Sequence, residues 1–172
     1  MPPEIDRLLN HSDLSGLMQA IAEYLNCDRC FCYLRNPQTH LGRVPFCWTR
    51  TDQIPVVYDE DWKPEPESLR DEDPMFAAAL ETKPSIFVED VNTTSAEILN
   101  AKFEQENFGH RALIHGHLCY NNQLWGVLQP CNMTQPHAWT AEERSTFTEL
   151  IERITPIAVA YIKHQTEYPP QE

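Results

Sequence analysis

Between Arg111 and Pro130 the chain reads RALIHGHLCY, then NN, then QLWGVLQP: two apolar runs parted by a pair of asparagines. Asparagine tolerates the positive φ angles of a tight hairpin turn better than most residues. The pattern predicts two antiparallel strands closed by Asn121-Asn122, with Tyr120 opposite Gln123. Side chains alternate across a strand, so that one pairing fixes both faces by counting. One face carries Ala112, Ile114, Gly116, Leu118 and Tyr120 with Trp125, Val127 and Gln129. The other carries Leu113, His115, His117 and Cys119 with Leu124, Gly126 and Leu128. Both faces are largely apolar and so both need a cover, which places the hairpin at the centre of a layered domain.

The remaining elements fall around it. Ser12 is suited to cap a helix from about Asp13 to Leu25, with Leu14, Leu17, Met18, Ile21 and Leu25 on one stripe. Arg29 to Arg35 reads as a strand and Gly42 to Thr51 as a second, with Pro45 marking an edge because proline cannot donate to a ladder. Asp73-Pro74 opens a short helix to Leu80, since proline suits the first helical turn. Ser85 to Glu89 is a short strand. Thr94 or Ser95 then caps a helix through Asn107, with Ile98, Leu99 and Phe103 inward. Thr140 and Glu143 have capping-box spacing and start a helix to about His164. Phe147, Leu150, Ile151, Ile154, Ile157, Ala158, Tyr161 and Ile162 form its stripe, and Pro156 should kink it. The order predicts an α+β domain over residues 1–165, an antiparallel sheet with terminal helices on one face and a middle helical layer on the other. Residues 166–172 read as a polar tail.

Residues 52–74 interrupt this regularity. Nine acidic side chains meet only Lys63 and Arg70, and prolines recur at 55, 64, 66 and 74. Irregular excursions of this length inside a compact domain are either solvated loops or lids over a ligand. Trp62 speaks for a lid, because a large aromatic there needs something to pack against.

A formal net charge of -13 repels nucleic acid and anionic membrane surfaces alike, so neither is an expected partner. No apolar run approaches a membrane span, and MPPEIDRLLN lacks the basic and apolar parts of a signal peptide. The expected location is cytoplasmic, where the six cysteines would stay reduced.

Two sets of residues carry possible chemistry. His115, His117 and Cys119 leave one strand face at alternate positions, so they could hold zinc, haem iron or another transition metal, with Gly126 opposite His117 leaving room above it. The plainer alternative is that the histidines are hydrogen-bonded core residues or line a polar pocket. Cys27, Cys30 and Cys32, with Cys47 on the next strand, could form a redox or cluster site, or simply fill the core. No serine–histidine–aspartate order and no phosphate-binding glycine loop occurs, so the chain is not expected to be an enzyme.

Several stretches together resemble a known family. Cys27-Asp28-Arg29 leads into the first strand, Asp73-Pro74-Met75-Phe76 opens the middle helix, Ser85 to Asp90 (SIFVED) follows, and Gln123 to Leu128 (QLWGVL) is the last hairpin strand, with Trp139 before the final helix. These stretches resemble GAF domains, and among them the bilin-binding domains of cyanobacterial photoreceptors. The resemblance implies a stand-alone sensory or regulatory module that binds a small molecule and signals through a partner protein or by dimerising. It also implies a pocket containing Asp73, at the position where the family places a carboxylate near the chromophore's pyrrole nitrogens, together with Phe76, Phe87, His115, His117 and Trp62. The attachment cysteines are replaced, by Asn100 in the helix before the hairpin and by Met75 in the Asp-Pro-Cys-Phe position. No covalent bilin is therefore expected, and a non-covalent tetrapyrrole or haem fits better. The alternatives are a metal, haem or redox sensor and a ligand-free interaction domain. The family's habit of pairing through terminal helices implies a homodimer built near Leu14 to Ile21 and Leu150 to Tyr161. The glycine-rich cysteine loop of the family's free methionine sulfoxide reductases is missing.

Overall fold

Asn121 and Asn122 take φ angles of 51° and 56°, and the two strands they join, β5 (Ala112–Tyr120) and β6 (Gln123–Asn132), form the centre of the sheet. The computed structural model describes residues 1–167. Tyr120 pairs with Gln123 and Cys119 with Leu124, as counting from the turn requires. The ladder then slips, and Leu118 pairs with Gly126. Trp125 is the extra residue of a β-bulge, a device that re-aims everything beyond it. Gly126 and Leu128 consequently join the face of Leu118 and Gly116, while Val127 stands beside His117. The sequence-based face assignment is thus corrected for β6. Gly126 leaves no space over His117; a Cβ there would lie 2.5 Å from the Tyr33 carbonyl oxygen.

The other strands are β1 (Arg29–Asn36), β2 (Leu41–Thr49), β3 (Lys63–Pro64) and β4 (Ile86–Val88). They complete a six-stranded antiparallel sheet in the order β3-β2-β1-β6-β5-β4. β3 meets β2 only at Leu41 and Gly42, which leaves Pro45 on an open edge as expected.

One sheet face is covered by α1 (Pro3–Asn10), α2 (Leu14–Tyr24) and α6 (Ala141–Glu167). α1 has no counterpart in the sequence reading; its Ile5, Leu8 and Leu9 are buried beside Leu14, Leu17, Met18 and Ile21 of α2. Asp13 rather than Ser12 caps α2, accepting from the Gly16 amide, because Ser12 sits at φ 54° in the turn. The capping box forms: Thr140 Oγ1 accepts from the Glu143 amide at 3.1 Å and Glu143 returns to the Thr140 amide at 2.8 Å. α6 runs through Pro156 to Glu167, past the expected end near His164 and into the expected tail, whose residues 168–172 lie outside the described range.

The opposite face carries α3 (Leu69–Glu72), α4 (Pro74–Leu80) and α5 (Ala101–Asn107). The third helix of this layer is shorter than expected. Asn100 caps it through the Phe103 amide, Leu99 is buried, and Ile98 points to solvent. Across residues 52–68 the chain forms a strap. It touches the sheet at β3 and through the Asp59 amide, which donates to the Val44 carbonyl at 3.0 Å.

Candidate functional site

A cavity of about 370 Å³ separates the strap from the sheet. Phe31 and Tyr33 of β1, Val44 of β2, His115 of β5, and Val127 and Gln129 of β6 form its floor. The Trp125 bulge is what turns Val127 and Gln129 toward it. Leu69, Asp73, Phe76 and Phe108 wall one side, and Val57, Asp59 and the Lys63 to Pro66 stretch cover it. The lining is chiefly apolar and aromatic with a few polar groups, the composition of small-molecule pockets generally.

Two buried arginines at opposite ends of β1 hold the strap. Arg29 Nη1 donates to the Pro55 carbonyl at 2.7 Å. Arg35 grips the Glu65 carboxylate through Nε and Nη2, the latter at 3.1 Å, and Tyr33 Oη donates to the same carboxylate at 2.8 Å. Bidentate pairing of this kind fixes geometry as well as charge. The excursion is therefore an anchored cover, with Asp52, Glu60, Asp61 and Glu67 facing water.

At the end of the cavity bordered by Asp73 and Phe108 lies a buried polar chain. Asp73 caps α4, its Oδ1 accepting from the Met75 and Phe76 amides at 3.0 and 3.2 Å. Burial, with the nearby charge of Glu104, pushes the Asp73 carboxyl up to about 6. Glu104 is itself buried on α5, and desolvation raises it to about 7 against the opposing charge of Arg29. His110 Nε2 accepts from Arg29 Nη2 at 2.9 Å, so its Nδ1 carries the proton it shares with Glu104 at 3.1 Å. Arg29 also donates to the Phe108 carbonyl and lies 5.4 Å from the Phe31 ring centre. The sequence reading missed Arg29, Glu104 and His110. Nothing in AKFEQEN distinguishes the buried Glu104 from its exposed neighbour Glu106.

A second polar chain begins at His115. His117 Nδ1 donates to the Lys83 carbonyl at 2.7 Å, and its Nε2 lies 2.8 Å from His115 Nδ1. Burial holds both imidazoles below the ordinary histidine range and therefore neutral at pH 7.

Of the residues singled out from the sequence, Asp73, Phe76 and His115 border the cavity, and His117 supports His115 from behind. Phe87 instead faces the terminal helices, 5.9 Å edge-on from Phe147, because its partner in the ladder is Ile114. Trp62 likewise packs on the helical side of the strap, with Arg43 5.8 Å from its ring centre. Cys119 packs with Phe76, Leu124 and Val127 without bordering the cavity. Cys27, Cys30 and Cys32 are buried in the helix-side core, where desolvation raises every thiol, that of Cys32 to about 12. Cys47 stands opposite Phe31 in the ladder, and its half-buried thiol is raised as well. Raised thiols are poor nucleophiles and poor thiolate ligands at neutral pH. Among the described residues no three His, Cys, Asp or Glu side chains come together as a metal site. None of the helices there is long and apolar enough to cross a membrane.

A family model described as GAF domain matches residues 11–155. No curated protein matches the chain. Among solved structures, the fold is similar to the GAF domain of an Acinetobacter phosphoenolpyruvate-protein phosphotransferase, at 14% identity and a TM-score of 0.66, over 95% of this chain and 92% of that one. It is similar to the blue-light absorbing form of the Thermosynechococcus elongatus PixJ GAF domain, at 18% identity and a TM-score of 0.64, over 97% and 95% of the two chains. A far-red absorbing protein in its dark state with bound biliverdin IXa aligns at 15% identity and a TM-score of 0.64, over 95% and 97%.

Proposed function

The chain belongs to the GAF domain family, and from that premise we propose that it is a sensory or regulatory module rather than a catalyst, binding a small molecule with conjugated rings and N–H donors without a covalent bond. The observation that carries this reading is the strapped aromatic cavity with the buried Asp73 carboxylate at its edge. A tetrapyrrole is the candidate to try first, because its rings match Phe31, Phe76 and Phe108 and its pyrrole N–H groups match a carboxylate acceptor. The biliverdin-bound structure of similar fold supports that choice.

Attachment through sulfur requires a thiolate at the ring. Met75 is already a thioether, Asn100 is an amide engaged as a helix cap, and the half-buried thiol of Cys119 is raised and does not border the cavity. Co-expression with a biliverdin-producing pathway tests the proposal. We expect a visible band that copurifies with the protein and leaves it on acid denaturation. Absence of any band after reconstitution, or a zinc-dependent fluorescent band that stays with the polypeptide on a denaturing gel, would overturn it.

Haem is the second reading, favoured by the open Nε2 of His115, whose Nδ1 is oriented by His117 in the manner of metal-ligating imidazoles. A Soret band lost on replacing His115 would decide for it. The signal is proposed to pass through a homodimer or a partner protein in the cytoplasm.

A further inference from the structure

His115 is 2% exposed and borders the cavity, and its side chain forms a single hydrogen bond among the described residues, the one from Nδ1 to His117. The direction of that bond follows from the far end of the chain. The Lys83 carbonyl can only accept, so the proton between it and His117 sits on His117 Nδ1. In a neutral imidazole the other nitrogen is then a bare lone pair, so His117 Nε2 accepts, and His115 Nδ1 must donate to it. The His115 proton is thereby committed to the side away from the cavity, and Nε2 keeps an unshared lone pair. Charging His117 would reverse the order, but it would place a cation in a desolvated site, which burial resists. The rings stand at 85° to each other with centroids 4.9 Å apart, a geometry set by their alternate positions on one strand.

Asp73 adds to this. Its Oδ1 is occupied by two amides, and Oδ2 has no protein partner among the described residues. Both polar groups that the floor and wall present at these points are acceptors. The cationic side chain bordering the cavity, Lys63, is paired with Asp59 at 2.8 Å at the exposed strap.

We propose that His115 Nε2 is a tautomer-locked hydrogen-bond acceptor, held so by His117 and Lys83, that selects ligands presenting an N–H or O–H donor to the cavity floor. This rests on the reading of the cavity as a ligand site. It adds a selectivity that shape and apolarity alone do not supply. A donor group that found no acceptor would bind without reward, whereas a ligand acceptor or anion placed there would meet a lone pair and lose its water.

Two measurements on the full chain test it. Long-range proton–nitrogen correlation spectra of nitrogen-15-labelled protein at pH 7.5, without added ligand, should show His115 protonated at Nδ1 and bare at Nε2. A protonated Nε2 overturns the lock. Indole and 1-methylindole then serve as probes that differ in one N–H, with binding followed by chemical-shift perturbation. Wild-type protein should prefer indole by about fivefold, the size of one net hydrogen bond. The preference should vanish in folded H115L and weaken in H117L, in which the His115 proton is free to move to Nε2. Equal affinities in the wild type, or a preference that survives in H115L, overturn the selection. Binding of neither probe, with the lock intact in the spectra, refutes the selection while leaving the tautomer assignment standing, and the cavity reading is then decided by the biliverdin reconstitution.

Discussion

Arg35 closes on both carboxylate oxygens of Glu65, joining the strand that floors the cavity to the strap that covers it. The pair is buried, with side-chain exposures of 5% and 12%, and Arg35 has one further acceptor, the Leu124 carbonyl at 2.9 Å. Removing one partner of a buried pair leaves the other charge uncompensated, at a cost of about 3–5 kcal/mol. Glu65→Ala should lose stability on that scale in urea denaturation and raise amide exchange over residues 52–68. Glu65→Gln, which keeps an acceptor for Tyr33, should cost less. Unchanged exchange in the strap of Glu65→Ala would show that Arg35 does not hold it.

Glu104 makes stability depend on pH. Its carboxyl is raised from an ordinary 4.5 to about 7, so between those values the folded chain binds more protons than the unfolded chain. Stability from this group is therefore full below pH 4.5 and is lost as pH rises through 7. At about 1.4 kcal/mol per unit the change is roughly 3 kcal/mol. Asp73, raised to about 6, acts in the same direction. His115 and His117, depressed below 6.5, act in the opposite one: their contribution falls away as pH drops below 6.5. Glu104→Gln keeps a carbonyl acceptor for His110 and should flatten the decline between pH 5 and pH 8. Because the histidines oppose it in both proteins, the difference between the two profiles isolates Glu104, and identical profiles in wild type and Glu104→Gln refute the assignment.

The turn and two of the caps could be read because their causes are local, whereas Ser12 and Thr94 or Ser95 gave way to Asp13 and Asn100. Asn121-Asn122, Asp73-Pro74 and Thr140–Glu143 each need only neighbouring residues to satisfy them. The Trp125 bulge could not, because β6 pairs with β1 on its other side and Tyr33 must pass against Gly126, a contact 93 residues away in the chain. Phe87 and Trp62 were misplaced for a related reason: the side of a short strand or strap is decided by the partner it pairs with. Arg29, Glu104 and His110 come together from three elements, and charged residues give no periodic signal of burial.

Gly126 gives the most direct test of that packing. A Cβ at this position would meet the Tyr33 carbonyl at 2.5 Å and Leu34 Cδ2 at 3.1 Å, and backbone cannot step aside as a side chain can. Gly126→Ala should destabilise by about 1–3 kcal/mol, the usual cost of overpacking. It should also disturb Tyr33, and with it the bond to Glu65 and the strap. A substitution costing under about 0.5 kcal/mol in thermal unfolding would mean that β1 and β6 are not so closely apposed.

Assembly provides the last test. Of the two stretches near which a dimer contact was expected, Leu14 to Ile21 and Leu150 to Tyr161, the first turns Leu17, Met18 and Ile21 into the domain's own core. Between the two stretches lies an open groove bordered by Leu14, Ser15, Phe46, Ile157, Ala160 and Tyr161. Phe46 and Tyr161 pack ring against ring at 5.4 Å, which fixes its floor. On the proposal that the signal passes through a homodimer, this groove is where the second copy of α6 would lie. Light scattering at tens of micromolar should give twice the 20.0 kDa chain mass. Ile157→Asp should halve it without unfolding the domain, because Ile157 is only half-buried in the single chain. A carboxylate at the centre of an apolar contact would lose its water with no partner to replace it. A wild-type chain that scatters as a monomer rules the homodimer out and leaves a partner protein to carry the signal.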